Sequence, residues 1–507
     1  MSARHPHRLR RVVAVSVLVG AALGVVPPVR GQAPPTVMRS VALEFSELVP
    51  GRVAARADGA VRADRPTWTS SRTTCAPIRF TMVGFTWDQS GTEEVPVEVA
   101  WGERGAMRGR TTLHADPAEG PDPGSEDDGG IDGTQPLWTS EARCVRFSLR
   151  LPAEERFDDL RIVFLNTSGT SEDPSPLEVI GNAFVSAWDA LAGVWGPEPA
   201  AAMATRPRII TRPEWNADER LRTVNCDGQP DYAPKLKMAY VHHTVSTNSY
   251  ARSEADDIVR GIYSYHVRGR GFCDIAYNFL ISKYGDIFEG RYGGVDRPVI
   301  GGHAMGFNTG STGVAALGDF SSRAPSKVLL RSYRRLLAWR LDVAHLPPRG
   351  RTTMVSGGGS STKYGAGERV RLRVISGHRD TGYTVCPGDR LYGKLPFIRR
   401  GAHNIGLPKV WSVKRTAGTL TSGEETFRYR AGFSGRLRWW VKITSMPDGI
   451  LVRTFSGRAE RLRVRWDGTN EQGLAVPPGR YEVKIEARIP GGDWARPARL
   501  RTRVEAP

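Results

Sequence analysis

Between Ser376 and Gly388 the chain reads Ser-Gly-His-Arg-Asp-Thr-Gly-Tyr-Thr-Val-Cys-Pro-Gly. His378 stands eight residues before Cys386, so their imidazole and thiol meet only if the intervening loop folds back on itself. Gly382, Pro387 and Gly388 supply the turn chemistry for that. His and Cys are the side chains that take zinc most readily, and two protein ligands are too few to hold it. A fold that uses this stretch as a site must bring a third ligand from elsewhere.

The compartment bears on Cys386. Arg4 to Arg11 form a basic segment, Val12 to Val26 an apolar run of 15 residues, and Gly31-Gln32-Ala33 a small-x-small cleavage pattern. Together they read as a secretory signal over residues 1–33. The run is short for a membrane span, and no later run reaches ~18 apolar residues, so the mature chain is expected to be exported and to lack a transmembrane segment. Arg10-Arg11 reads as part of a plain basic region rather than a twin-arginine signal. The chain has five cysteines. If Cys386 binds metal, Cys75, Cys144, Cys226 and Cys273 remain, and an oxidising compartment favours pairing them. Of the three connectivities, Cys75–Cys144 and Cys226–Cys273 keep each bridge inside one candidate domain.

Charge divides the 507-residue chain. Residues 34–200 carry a net −11 and residues 201–507 a net +24. A basic surface concentrates anionic partners, and charge alone does not choose among nucleic acid, acidic lipid and anionic wall polymer. Residues 34–195 show short alternating runs, Ile78–Val83, Val95–Trp101 and Val145–Leu149, and a denser one at Arg161–Leu165. With their Gly, Pro and Asp punctuation these predict an antiparallel β-sandwich. The acidic run Glu126–Asp132 does not fit a calcium loop and reads as solvated. This unit shows no catalytic set and reads as a binding or spacer domain, followed by a linker at 196–206.

From 207 to 405 the pattern turns to mixed α/β. Lys237–Val241 is a strand running into His242-His243-Thr244. Ser253 with Asp256 suggests a capping box before a helix carrying Ile258, Ile262 and Tyr265. Ala276–Ile281 and Gly313–Leu317 read as buried strands. Ser326 caps a helix striped by Leu330, Tyr333, Leu337 and Leu341. The alternating strand Val370–Val374 delivers His378, and a last helix is interrupted at Pro396. Residues 411–507 hold four or more strands with tight turns at Trp466–Asn470 and Pro477–Tyr481, predicting an immunoglobulin-like β-sandwich without a catalytic constellation. His242, at the end of its short strand, supplies the third ligand. His-His-Cys is a zinc combination whose fourth position stays open to water, and export leaves an unpaired cysteine otherwise unexplained.

Residues 207–402 resemble the peptidoglycan recognition protein and type 2 N-acetylmuramoyl-L-alanine amidase family, in its secreted actinobacterial form. The motifs that carry the resemblance are Arg212-Pro213-Glu214-Trp215, Val241-His242-His243-Thr244, Tyr265-His266, Cys273 to Leu280, Glu289-Gly290-Arg291, Gly302-His303-Ala304, Gly377-His378-Arg379-Asp380 and Cys386-Pro387-Gly388. They occur in the family's order over about two-fifths of the chain. The resemblance implies a mixed β-sheet with flanking helices and one Zn2+ held by His242, His378 and Cys386. Members that only bind peptidoglycan typically lack the Cys, so Cys386 implies a hydrolase that cuts the amide between N-acetylmuramic acid and L-alanine.

Within that resemblance Tyr277 and Thr384 take catalytic roles, orienting water and supporting the oxyanion. His266, Asn278, Arg291 and His303 are implied substrate contacts. His243 is implied either there, beside a ligand, or in a structural role. Asp380 could hydrogen-bond a ligand imidazole or terminate a turn. Peptidoglycan is the implied partner, with anionic wall polymers beside it and nucleic acid set aside. Between Arg291 and Gly302 this chain is longer than the animal recognition proteins, so stem-peptide preference does not carry over. Separately, Val464–Asn470 and Val476–Tyr481 resemble the immunoglobulin-like domain of flagellar hook-capping proteins.

Overall fold

The computed structural model describes residues 34–43, 48–51, 67–70, 73–88, 96–115, 118–150, 158–169, 203–416, 419–421 and 426–505. The expected leader and most of the expected linker lie outside the described residues. No helix among the described residues is long and apolar enough to cross a membrane.

Among the described residues, nine strands between Val37 and Asn166 join in one antiparallel hydrogen-bonded network, where two separate sheets were expected. Two strands make this possible by their length: Thr74–Asp88 has 15 residues and Leu137–Arg150 has 14, and their pairing shifts register between Cys75 and Met82. Cys75 lies opposite Cys144 and is bridged to it. Alternation fills one core with Phe80, Phe85, Val97, Val99, Phe147 and Phe164.

The reverse face is apolar too. Met82, Trp138, Val163 and Leu165 share a second core with Trp215, Ile258, Ile262 and Tyr265. The run at 161–165 is dense because both faces of that strand are buried, Ile162 and Phe164 on one side, Val163 and Leu165 on the other. The Tyr265 hydroxyl closes the junction by donating toward Phe85 O and Thr134 O, each at 2.9 Å. A solvated spacer would have no such second core.

The central unit is a five-stranded sheet. In chain order its strands are Met238–His243 (β1), Phe279–Ile281 (β2), Ile287–Glu289 (β3), Ser311–Ala316 (β4) and Ile375–Gly377 (β5). In space the order is β3-β2-β4-β1-β5. Only β3 runs antiparallel to its neighbour. Ala255–Ser264 (α1) packs against the core shared with the first sheet. Lys327–Val343 (α2) and Leu395–Asn404 (α3) cover the other core. The second disulfide joins Cys226 and Cys273.

Several local expectations shift. Ser326 caps α2 through Leu329 N at 3.1 Å, and Leu330, Tyr333, Leu337 and Leu341 are buried, as the stripe predicts. The turn before α1 is closed instead by Glu254, whose carboxylate accepts from Ala251 N at 2.5 Å; a 3-10 turn over Arg252–Glu254 displaces Ser253 from the cap. Pro396 opens α3 rather than breaking a helix, since its missing N–H costs nothing in a first turn. The alternating strand Arg369–Arg373 pairs with Arg351–Val355 in a separate ribbon, and the short β5 after it delivers His378. Beyond residue 409 six strands among the described residues form one hydrogen-bonded sheet, and the two expected strands at 450–455 and 461–466 are one, Leu451–Trp466.

The Arg-Pro-Glu-Trp motif is a clamp. Arg212, 2% exposed, lies 3.0 Å from Asp274 and 2.8 Å from Glu219, and donates to Gly290 O at 2.6 Å. Trp215 Nε1 donates to Glu289 O at 2.8 Å. These bonds tie the loop before β2 to the loop after β3. Arg212→Met, leaving Asp274 buried without its cation, is expected to cost about 3–5 kcal/mol in denaturant unfolding; a loss within experimental error would refute the clamp.

Candidate metal centre

Strand register builds the site. β1 and β5 are parallel, with Val241 opposite Gly377. The next residues, His242 on β1 and His378 in the 3-10 turn just past β5, therefore emerge side by side, with ring centroids 4.7 Å apart. Side chains alternate across β1, so His242 faces the site and His243 faces away. The loop after His378 then turns back as the spacing requires. Thr381 N and Gly382 N donate to His378 O, and Arg379 N donates to Cys386 O at 3.0 Å. Gly388 holds a φ of 79° with its backbone against Phe320, where a Cβ would sit 2.3 Å from the Phe320 carbonyl carbon. Cys386 is thereby brought to 3.7 Å, Sγ to His242 Nδ1.

The ligand atoms of His242, His378 and Cys386 all lie within 4.8 Å of one another, and the three residues are buried. Cys386 is the unbridged cysteine of five. The donor set suits zinc, and the tautomers fit. His378 Nε2 lies 3.0 Å from Ala118 O. A carbonyl only accepts, so Nε2 carries the proton and Nδ1 keeps its lone pair. His242 Nε2 lies 3.1 Å from His303 Nδ1, leaving His242 Nδ1 toward Cys386. Burial holds the His242 imidazole neutral, its pKa far below the ordinary value, with His378, His303 and His243 adding repulsion. Burial, then His378 and Arg291, pushes His303 down to about 3. Neutral imidazoles are the form that binds a metal ion.

Other expected residues gather here in part. Tyr277 packs its ring 5.5 Å from that of His242 and is fully buried. His266 lies 5.9 Å from Tyr277, ring to ring; its Nδ1 accepts from Ala276 N at 3.1 Å, and burial, Arg270 and Arg291 push it down to about 3. His303 Nδ1 is the hydrogen-bond partner of His242 Nε2. Thr384 Oγ1 accepts from Cys386 N at 3.0 Å, holding the ligand loop.

Others are placed differently. His243 accepts from Phe320 N at 3.1 Å on the far side of β1, because residue i+1 of a strand must face away. Asn278 ties β4 to the loop at Val299, accepting from Gly313 N at 2.8 Å and donating to Val299 O at 3.1 Å. Asp380 does not back a ligand imidazole. Its carboxylate takes Gly377 N at 3.1 Å and the Tyr392 hydroxyl at 2.6 Å, which is its turn-closing alternative.

Sequence reasoning missed the Ala118–Asp127 segment of the first unit. Besides the Ala118 carbonyl it supplies Glu119, 3.7 Å from His266, and Asp127, 2.6 Å from Arg291. The expected solvated acidic loop is thus a docking element: Asp127 is 9% exposed, and Asp132 lies 3.8 Å from Arg270. Its acidity was the one available signal, opposite in sign to the domain it meets.

Residues 232–389 match the family model described as N-acetylmuramoyl-L-alanine amidase. Similar proteins include peptidoglycan recognition protein 3 of Homo sapiens, 27% identical over 186 residues, 37% of this chain and 45% of that protein. Peptidoglycan-recognition protein 1 of Holotrichia diomphalia is 26% identical over 189 residues, 37% of this chain and 79% of that protein. The match thus spans under half of the human protein's length. A crystal structure of Drosophila peptidoglycan recognition protein SD aligns at 26% identity over 37% of this chain and 92% of that one, with a TM-score of 0.28. By sequence, then, residues 232–389 are a domain of the peptidoglycan recognition protein and type 2 N-acetylmuramoyl-L-alanine amidase family.

Proposed function

We propose that this chain is a secreted, zinc-dependent N-acetylmuramoyl-L-alanine amidase that separates the glycan of peptidoglycan from its stem peptide. The observation that carries the reading is the buried His242–His378–Cys386 trio with Cys386 unbridged. His242, His378 and Cys386 would hold a zinc ion, which would supply a water of lowered pKa and polarisation of the scissile carbonyl.

The chain's own residues do the rest. His303 and the Ala118 carbonyl hold the two imidazoles in the tautomers that present Nδ1. Thr384 keeps Cys386 seated. Tyr277, beside His242, offers a hydroxyl to orient the substrate amide and steady charge on its oxygen. The net +24 beyond residue 200 would keep the enzyme near anionic wall polymers, more weakly as salt rises. The C-terminal sheet would serve as a spacer or wall-attachment module.

A non-catalytic peptidoglycan binder is the competing reading, since the similar proteins named above are called recognition proteins. The cysteine ligand favours hydrolysis. Two outcomes test the proposal. Zinc-loaded protein should release new L-alanine amino termini from cell wall above the level of Cys386→Ser; equal release from both would sink the mechanism. His303→Ala should weaken zinc binding about 10–100-fold in chelator competition, and unchanged affinity would remove His303 from the support of His242.

A further inference from the structure

A hydrolase of a wall polymer needs an open cleft, yet His242, His378, Cys386 and Tyr277 are each 3% exposed or less. What covers them is the chain itself. We infer that the segment Ala118–Asp127 is an intramolecular occupant of the substrate cleft and holds the folded chain latent. This rests on the peptidoglycan reading of the same site.

The contacts reach His266 and Arg291, two implied substrate contacts, and the candidate metal ligand His378. Ala118 O takes both Met305 N, at 3.0 Å, and the Nε2–H of His378. Gly382, in the ligand loop, leaves room for it: a Cβ there would lie 2.6 Å from the Ala118 methyl carbon. Glu119, 2% exposed, is held by Gln135 beside His266. Gly120 O accepts from Asn308 Nδ2 at 3.0 Å. Asp122 accepts from Gly306 N at 2.9 Å and Asn308 Nδ2 at 2.8 Å. Asp127 takes Arg291 at 2.6 Å and Cys273 N at 2.5 Å.

The segment thus presents a peptide backbone and carboxylates to the cleft, as an acidic stem peptide would. Apolar burial in it is confined to Ala118 and Pro121, and Pro123–Glu126 stand exposed at its tip. It is held mainly by hydrogen bonds and one ion pair, which a competing ligand or a cut at the tip can replace. An occupant present most of the time lowers apparent substrate affinity by the fraction of open molecules.

The test uses the full zinc-loaded chain with a site-specific protease sequence inserted between Gly124 and Ser125. Wall digestion and, in a Cys386→Ser background, calorimetric binding of a muramyl pentapeptide are measured before and after cutting, with thermal unfolding as the check on folding. Cutting should raise both by about tenfold or more, and uncut Asp127→Asn should move both the same way by less. Equal digestion and binding before and after cutting, with Asp127→Asn like wild type, would overturn the occupant and leave the amidase reading standing. Tighter binding after cutting with no digestion in either state would support the occupant and refute the amidase. Should the insertion prevent folding, Asp127→Asn combined with Asp122→Asn decides by the same two measurements.

Discussion

The parallel pairing of β1 with β5 is the constraint on which the rest depends. Val241 and Gly377 are partners, so two imidazoles separated by 136 positions in sequence leave the sheet as neighbours. A slip of one residue would turn His242 to the far face and His243 inward. That slip is resisted from both sides. β4 pairs with β1 along all six residues, from Met238 to His243. Behind the sheet, the Tyr333 hydroxyl of α2 donates toward His242 O and Val314 O, each at 3.1 Å.

Burial then sets the chemistry. Burial keeps the His242 imidazole neutral, which suits a metal ligand. The cost is that each buried ring nitrogen needs a partner. His303 meets that need for His242 from inside the domain. For His378 the partner comes from the preceding β unit, through the Ala118 carbonyl. One contact therefore does two things: it fixes a ligand tautomer and it lays the chain over its own cleft.

The site was legible in the sequence where spacing is short or chemistry is distinctive. The Ser376–Gly388 loop announces its fold-back through glycine and proline, and the unbridged Cys386 stands out once the other cysteines pair across Thr74–Asp88 and Leu137–Arg150 and between Cys226 and Cys273. The helix stripe at Leu330–Leu341 was equally plain, because one face repeats at 3.6 residues. Asp380 was left with two roles, and Asn278 with a substrate role, because a polar residue near a site looks the same whether it faces a ligand or closes a turn. The cleft occupant was invisible for another reason. Ala118 acts through a backbone carbonyl, which no side-chain pattern encodes, and the docking of one unit on another is a property of surfaces separated by over a hundred residues.

In the proposed amidase, His242, His378 and Cys386 together hold the zinc. X-ray absorption at the zinc edge of the loaded protein tests it most directly. One sulfur at about 2.3 Å and two imidazole nitrogens at about 2.0–2.1 Å are expected, with the sulfur lost in Cys386→Ser. A zinc shell without sulfur, or one unchanged by that substitution, would contradict it.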